Sequence, residues 1–429
     1  MSTRTTSRIH AILPWILLGL GVWFAVRGWR AAVSPQGSDL AVYWRAARAV
    51  VEGRDPNTVD QWIYPPGTAI VLAPLGLLPL PVAAAIFQAL SLAAIAWCAR
   101  RAVDLVRGEG LAAPAWLSWL PALLVLRLAD SNLTNGQVNH FTLALLVAAL
   151  LAAQRTRAFA AGAWVGAAAA FKVVPGIVSL AFLARRDVRA LAGVATASVL
   201  GLFALPMMAF GPSTGLERIA GWWHGLVTPY ASGGEELLAV REYVPGQSLT
   251  AMLYRALAAT PATSKGAAGP TAELVAWSPD TVHRIVVAVQ LAWVAALLVT
   301  LVRSVRDDRA GARLREVCLC MASGLMLAPL VHKAHMVWML VPYALLLVGP
   351  PHELGRAARS ARWILVAASA LLIGATTPTL LGRAFATTAL SFSFVGIGVV
   401  CATVALAIDV WAGDAKTPSS TGASARSTA

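Results

Sequence analysis

An all-α, polytopic helical membrane protein is the fold class this sequence predicts, and three observations predict it. Of its 429 residues, 58% are hydrophobic and 13% charged, about half the charged share of a soluble domain. The mean hydropathy is +0.69. The apolar residues come in long blocks, as membrane-crossing helices require. The same composition excludes a disordered chain, which would be polar and highly charged.

The blocks lie at about 9–26, 80–99, 113–129, 137–154, 159–184, 188–211, 283–303, 314–330, 333–349, 361–381 and 388–411. The first, Ile9 to Val26, carries only His10 as a polar residue and is closed by Arg27. It is long for a signal-peptide core, and no A-x-A site follows, so it predicts an uncleaved first span. Short positive clusters mark cytoplasmic loops. Here they are Arg4/Arg8, Arg100/Arg101/Arg107, Arg155/Arg157, Arg185/Arg186/Arg189, Arg303/Arg306/Arg309/Arg313/Arg315 and Arg356/Arg359/Arg362. These clusters hold most of the net charge of +14. Charges placed between apolar blocks read as topology and exclude a nucleic-acid-binding face. The clusters alternate correctly except around block 159–184, which has one at each end. The conflict disappears if that block enters and returns, bending near Lys172-Val173-Val174-Pro175. Each arm would be about 12 residues, roughly 18 Å, too short to cross a core of about 30 Å. The bend must then be buried in protein or line a wet cavity. About 11–12 membrane segments follow, with both termini inside.

Residues 1–413 read as a single transmembrane domain, and 414–429 as a disordered cytoplasmic tail rich in Ser, Thr and Ala. Two long external loops are expected, 27–79 and 212–282, the second with a flexible stretch at Ala258–Thr271. Cys98, Cys318, Cys320 and Cys401 all sit in apolar blocks and read as small packing residues.

In the first external loop, Ser38 can cap a helix. Leu40, Tyr43, Trp44, Ala47 and Val51 then recur at helical spacing, with Arg45, Arg48 and Glu52 mostly on another face. This predicts an amphipathic surface helix ending at Gly53. Asp39 in its first turn gains from the helix dipole, or serves as a general base at the lipid–water boundary. After Tyr64-Pro65-Pro66, the stretch Thr68–Leu78 is too short to span and suits a surface or re-entrant helix. The block Asp130–His140 brings Asn135, Gln137, Asn139 and His140 to the membrane face, either to bind sugar hydroxyls or to glue helices together. Lys172 in an apolar segment is a candidate phosphate ligand or half of a structural salt bridge. His332 and His335, three apart with Lys333 between, suit a proton carrier or phosphate partner. Two histidines with no further ligand nearby do not suggest zinc. The second loop holds Trp222-Trp223-His224, Glu235-Glu236, Arg241-Glu242-Tyr243 and Gly246-Gln247-Ser248-Leu249.

Taken in order, Asp39-Leu40…Tyr43, Gly53-Arg54-Asp55-Pro56, Tyr64-Pro65-Pro66, Ala73-Pro74-Leu75, Gly136-Gln137-Val138-Asn139, Lys172-Val173-Val174-Pro175, Gln247-Ser248-Leu249 and His335-Met336-Val337-Trp338 resemble glycosyltransferase family 87. The resemblance spans roughly residues 35–345. It implies a C-superfamily transferase of the plasma membrane, with surface helices and an active site on the extracytoplasmic side. It implies a polyprenyl-phosphate-mannose donor and a lipid-linked mannoside acceptor, a phosphatidylinositol mannoside or lipomannan. The product would be an α-(1→2)-mannoside, formed with inversion. The family's base maps onto Asp39, its K-x-x-P lysine onto Lys172, and its late histidine onto His335. Lys172, Arg45, Lys333 and His332 are then candidates for the donor phosphate. Tyr43, Tyr64, Gln137, Asn139, Gln247 and Ser248 are candidates for sugar and acceptor. Relatives often carry Asn-Gln-Ser and His-His where this chain has Gly246-Gln247-Ser248 and Ala334-His335. A donor with no nucleotide pyrophosphate needs no D-x-D metal motif, so neither metal nor cofactor is expected. The alternatives are another polyprenyl-phosphate sugar such as arabinofuranose, a transporter built around Lys172 and the broken segment, and a non-catalytic partner of an envelope enzyme.

Overall fold

The computed structural model describes residues 3–232, 243–259, 272–307, 309, 311–348 and 354–411. The expected tail, most of Ala258–Thr271, and Glu235, Glu236, Arg241 and Glu242 lie outside the described residues. Among those described, six helices are long and apolar enough to cross a membrane: His10–Val33, Leu80–Gly108, Val188–Phe210, Pro279–Ser304, Arg356–Gly374 and Phe394–Trp411. Shorter apolar helices fill in between them.

The first external loop folds as its periodicity predicts. Helix α1 (Thr3–Val33) leads to α2 (Asp39–Val51), which buries Leu40, Tyr43, Ala46 and Ala47 and leaves Arg45 and Arg48 exposed. Ser38 sits at the N-cap with extended backbone, but its hydroxyl makes no capping bond. The chain leaves α2 through Gly53, at φ +72°. Helix α3 (Pro66–Gly76) packs along α2, and α4 (Leu80–Gly108) carries the chain down the bundle.

Block 113–129 departs from the expected single span. It breaks into a 3-10 turn (Ala115–Ser118), α5 (Leu120–Leu124) and α6 (Leu126–Asn135). Pro114 and Pro121 each remove a backbone donor, and the helix is interrupted beside both. Gly136 ends α6 in the left-handed region at φ +68°. A Cβ there would stand 2.5 Å from the Leu40 Cβ, so glycine sets both the turn and the approach of this corner to α2. Helix α7 (Asn139–Gln154) starts directly after it.

Block 159–184 is broken where the charge pattern demands. Helix α8 (Ala158–Phe171) stops at Lys172, whose backbone is extended (φ −156°, ψ 110°). A 3-10 turn (Val174–Val178) and α9 (Ser179–Ala184) follow, then α10 (Val188–Val199). Helices α8 and α10 run parallel in close contact. A Cβ on Gly162 would lie 1.8 Å from the Ala190 carbonyl oxygen, and one on Gly166 2.4 Å from that of Val194. Parallel neighbours require residues 172–187 to bring the chain back to its starting level. Thr156, Arg185 and Asp187 accordingly line one cavity, of about 620 Å³. Lys172 is left at the apex of the return, at the opposite end of α8.

The arginine-rich loops gather at one end of the bundle around three carboxylates. Arg185 forks onto Glu316 (Nε–Oε2 2.6 Å, Nη2–Oε1 2.7 Å), and the Ser304 hydroxyl donates to Glu316 Oε1 at 2.6 Å. Arg309 pairs with Asp307 at 2.7 Å. Arg362 is fully buried, donating to Asp409 Oδ1 at 2.6 Å and to the Leu346 carbonyl at 2.7 Å. Removing one partner of a buried pair strands the other charge, at a cost of roughly 3–5 kcal/mol. Asp409→Ala is therefore expected to lower unfolding stability in detergent by that amount. A thermal or denaturant unfolding curve matching wild type would show the pair to be ornamental.

Candidate active site

Four elements meet at the end of the bundle away from the arginine loops. Asp39 opens α2, Tyr43 lies one turn later, and Tyr64 comes from the loop before α3. Gln137 and Asn139 come from the α6–α7 corner, and Lys172 from the apex of the return. The Gln137 carboxamide joins them. Its Nε2 donates to Asp39 Oδ2. Its Oε1 lies within hydrogen-bond distance of the Tyr43 and Tyr64 hydroxyls, at 3.2 and 3.4 Å. Those two hydroxyls bond each other at 2.8 Å. The Lys172 ammonium donates to Tyr64 at 3.4 Å and to Asn139 Oδ1 at 2.7 Å. One continuous hydrogen-bonded chain thus runs from a half-buried carboxylate to a buried ammonium.

The two ends differ in electrostatics. Burial pushes the Asp39 carboxyl above its ordinary range, opposed by the Gln137 hydrogen bond and the charge of Lys172. A raised carboxyl is a better proton acceptor near neutral pH. Lys172 is 6% exposed, and among the described residues no carboxylate lies within ion-pair distance of it. The structural salt bridge considered for it is therefore not formed there. Its ammonium, held by neutral oxygens alone, borders an apolar cavity of about 350 Å³ shared with Tyr64, Pro65, Trp222, Tyr230 and His335.

His335 thus joins Lys172 at the cavity. It follows His332 in a 3-10 turn (Lys333–Met339), where side chains three apart eclipse. The two imidazoles stand edge to face, 4.4 Å between centroids. His332 Nδ1 accepts from the Ala334 N–H and His335 Nδ1 from the His332 N–H, both at 3.4 Å. Among the described residues no group of three His, Cys, Asp or Glu side chains could hold a metal ion.

Four other expected residues lie elsewhere. Arg45 is on the exposed face of α2, away from Lys172. Lys333 is within electrostatic reach of Arg127 and Asp130 and does not line the cavity. Gln247 and Ser248, read as acceptor contacts, are fully buried and committed to the backbone. Gln247 Nε2 donates to Leu390 O at 3.0 Å and Val244 O at 3.1 Å, and its Oε1 accepts from Gly396 N at 3.2 Å. Ser248 caps the helix Leu249–Leu257 and donates to Pro329 O at 2.9 Å. They anchor the 243–248 strap, leaving no donor for a sugar. In the Asp130–His140 block, Gln137 and Asn139 serve the site, whereas His140 bonds Ser91 at 2.9 Å and acts as helix glue. Reasoning from sequence missed Tyr230 at the cavity. It also missed Tyr243, half-exposed, stacked edge-on to His332 and within electrostatic reach of Asp39. Aromatic residues in a long aperiodic loop carry no spacing that would single these out.

Residues 62–329, well over half of the chain, match the sequence model of glycosyltransferase family 87. The chain belongs to this family. The match takes in Tyr64, Gln137, Asn139, Lys172, Gln247 and Ser248, and Asp39, His332, Lys333 and His335 flank it. A Mycobacterium tuberculosis protein named polyprenol-phosphate-mannose-dependent alpha-(1-2)-phosphatidylinositol mannoside mannosyltransferase is 28% identical over 232 residues, 47% of this chain and 53% of that protein. A Mycolicibacterium smegmatis protein of the same name is 30% identical over 213 residues, 43% of this chain and 47% of its own. A second protein from that organism, named for a phosphatidylinositol pentamannoside acceptor, is 31% identical over 194 residues, 42% of this chain and 46% of its own. The chain spans about half the length of these curated relatives. No solved structure matches.

A buried ammonium with no carboxylate in ion-pair contact does not repay its desolvation. Lys172→Met is therefore expected to change unfolding stability by no more than about 2 kcal/mol, the lost bonds to Tyr64 and Asn139 offsetting the relieved charge. A loss as large as that for Asp409→Ala, in the same unfolding assay, would make Lys172 a structural residue.

Proposed function

We propose that this family 87 chain is a plasma-membrane mannosyltransferase with its active site on the extracytoplasmic side. It transfers mannose from a polyprenyl-phosphate-mannose donor to a lipid-linked mannoside such as a phosphatidylinositol mannoside. One observation carries the reading: a buried lysine, unpaired by any described carboxylate, borders an apolar cavity at one end of a hydrogen-bonded chain whose other end is a carboxylate raised by burial. A lipid phosphate supplies both what the lysine lacks, an anion, and what the cavity lacks, an apolar tail. The names of the mycobacterial relatives support the donor and acceptor classes. The arginine loops at the far end support an outward-facing site.

In the reaction, an acceptor hydroxyl attacks the anomeric carbon of the donor. The bond from that carbon to the phosphate oxygen breaks, and the polyprenyl phosphate leaves as an anion. Lys172 stabilises the departing charge in a dry site, where a fixed cation is most effective. The hydroxyl proton passes to Asp39. Gln137 holds the carboxylate in place and keeps it more acidic than burial alone would make it. Attack from the face opposite the leaving phosphate inverts the configuration, which leaves base and phosphate ligand on opposite sides of the sugar.

Purified protein given polyprenyl-phosphate-mannose and a phosphatidylinositol mannoside is expected to extend the acceptor by one mannose. Asp39→Asn should lower kcat by about 10²–10⁴, the usual contribution of a general base, with expression unchanged. Full activity in Asp39→Asn would remove the base from this site, and an inactive wild type would remove the sugar or the acceptor.

The base must be ionised, so kcat/KM should fall as pH drops through an apparent pKa above the ordinary carboxylate range. Gln137→Leu removes the hydrogen bond that lowers that pKa, so its acid limb should shift to higher pH. An unmoved limb would show that Gln137 does not control Asp39.

A further inference from the structure

A second concentration of positive charge lies at this end of the bundle, around Asp130. Asp130 on α6 is shared by two guanidinium groups. Its Oδ1 accepts from Arg27 Nη1 at 3.1 Å and its Oδ2 from Arg127 Nη1 at 2.8 Å. Thr134 adds a hydroxyl at 3.1 Å. Arg127 is further fixed by its Nε bond to the Thr376 carbonyl at 3.1 Å. Asn132 of the same helix donates to the Ala334 carbonyl at 3.4 Å, which ties α6 to the backbone beside Lys333. Lys333 is half-buried and lies within electrostatic reach of Arg127 and Asp130. Two guanidinium groups thus contact one carboxylate, with a third cation within electrostatic reach, an excess of two positive charges. A purely structural pair needs one cation per carboxylate, and a partly buried excess of like charge opposes folding unless an anion joins it.

The position limits what that anion can be. Asp130 precedes Gly136 by six residues on α6, about 9 Å along the axis. Gly136 touches the first turn of α2, where Asp39 sits. Arg27 lies in the last two turns of α1, a spanning helix, and is 44% exposed at its side chain. The cluster therefore lies near the end of a spanning helix, with Arg27 exposed, and does not line the cavity at Lys172. A phosphodiester at the level of lipid headgroups, followed outward by one or two sugar rings, has this spacing.

We propose that Arg27, Arg127 and Lys333 form a second phosphate site that holds the headgroup phosphodiester of an anionic acceptor lipid, separate from the donor phosphate at Lys172. This rests on the reading of the chain as a lipid-dependent glycosyltransferase and specifies its acceptor as a charged glycolipid. Two phosphates held on opposite sides of Asp39 place the acceptor sugar between them. Arg127 and Arg27 offer planar forks suited to phosphate oxygens, and Lys333 a point charge.

The test separates binding from turnover. Full-length protein in nanodiscs of zwitterionic lipid is titrated with phosphatidylinositol, with uncharged diacylglycerol of the same chains, or with inorganic phosphate, and binding is read by native mass spectrometry and thermal shift. Phosphatidylinositol should bind, and Lys333→Gln and Arg27→Gln should each weaken it about ten-fold, the size of one charged hydrogen bond. In turnover, the same variants should raise KM for a phosphatidylinositol mannoside with little change in KM for the donor. The preference for that acceptor over an uncharged alkyl dimannoside should collapse. Equal binding of phosphatidylinositol and diacylglycerol, or binding that survives both substitutions, would overturn the site. Stabilisation by inorganic phosphate but not by phosphatidylinositol would overturn the lipid assignment. If wild type binds phosphatidylinositol through these residues yet transfers no mannose, the acceptor site stands and the proposed reaction fails.

Discussion

The parallel contact of α8 with α10 is the constraint on which the rest of the structure depends. Backbone lies against backbone at Gly162, Gly166 and Gly193, with no room for a single Cβ. Two adjacent helices that run the same way cannot be joined by a tight turn. The chain must descend between them, and it does so through a segment too short for a regular span. That descent puts a non-helical apex inside the protein, which is where unpaired backbone is tolerated at membrane depth. Lys172 occupies the apex. The arrangement also returns the arginines after α9 to the side from which α8 started, so charge topology and helix packing agree.

The site built on that apex trades stability for readiness. A lysine bonded to Asn139 and Tyr64, a glutamine divided between a carboxylate and two phenols, and an asparagine whose Nδ2 is buried without a hydrogen-bond partner are poor choices for a core. The arginine-rich cluster shows the alternative, where Arg185–Glu316 and Arg362–Asp409 neutralise each other. Those charges are paired where they only support structure, whereas Lys172, among the described residues, has no carboxylate in ion-pair contact beside the apolar cavity.

Much of this was legible in the residues. Tyr43 follows Asp39 by one turn, and its apolar neighbours mark the buried face, so the two had to share a helix. The break at Lys172 was forced by two arginine clusters flanking one block. Other parts were legible only in space. Arg45 is six residues from Asp39, a separation that turns it to the opposite face of a helix of 3.6 residues per turn. Gln247 and Ser248 look like ligand contacts because polar residues in an apolar chain do, but neighbouring carbonyls claim them first. Block 113–129 reads as a span by hydropathy, although its helix is interrupted beside its prolines. Tyr243 reaches Asp39 only because the 243–248 strap is laced to 331–333, a pairing no local pattern encodes.

The anchoring of Trp338 has a consequence for biogenesis. Its indole N–H donates to the Asn139 carbonyl at 3.3 Å and to the Thr142 hydroxyl at 3.1 Å, clamping the first turn of α7 from nearly 200 residues further along the chain. Helices leave the ribosome in order, so Asp39, Gln137 and Lys172 are all in the membrane long before this clamp arrives. Until then, the ammonium faces an incomplete wall open to lipid. Maturation of the candidate site is therefore tied to the late insertion of residues 331–348. A nascent chain released early would hold most of the reactive groups without the wall that orders them.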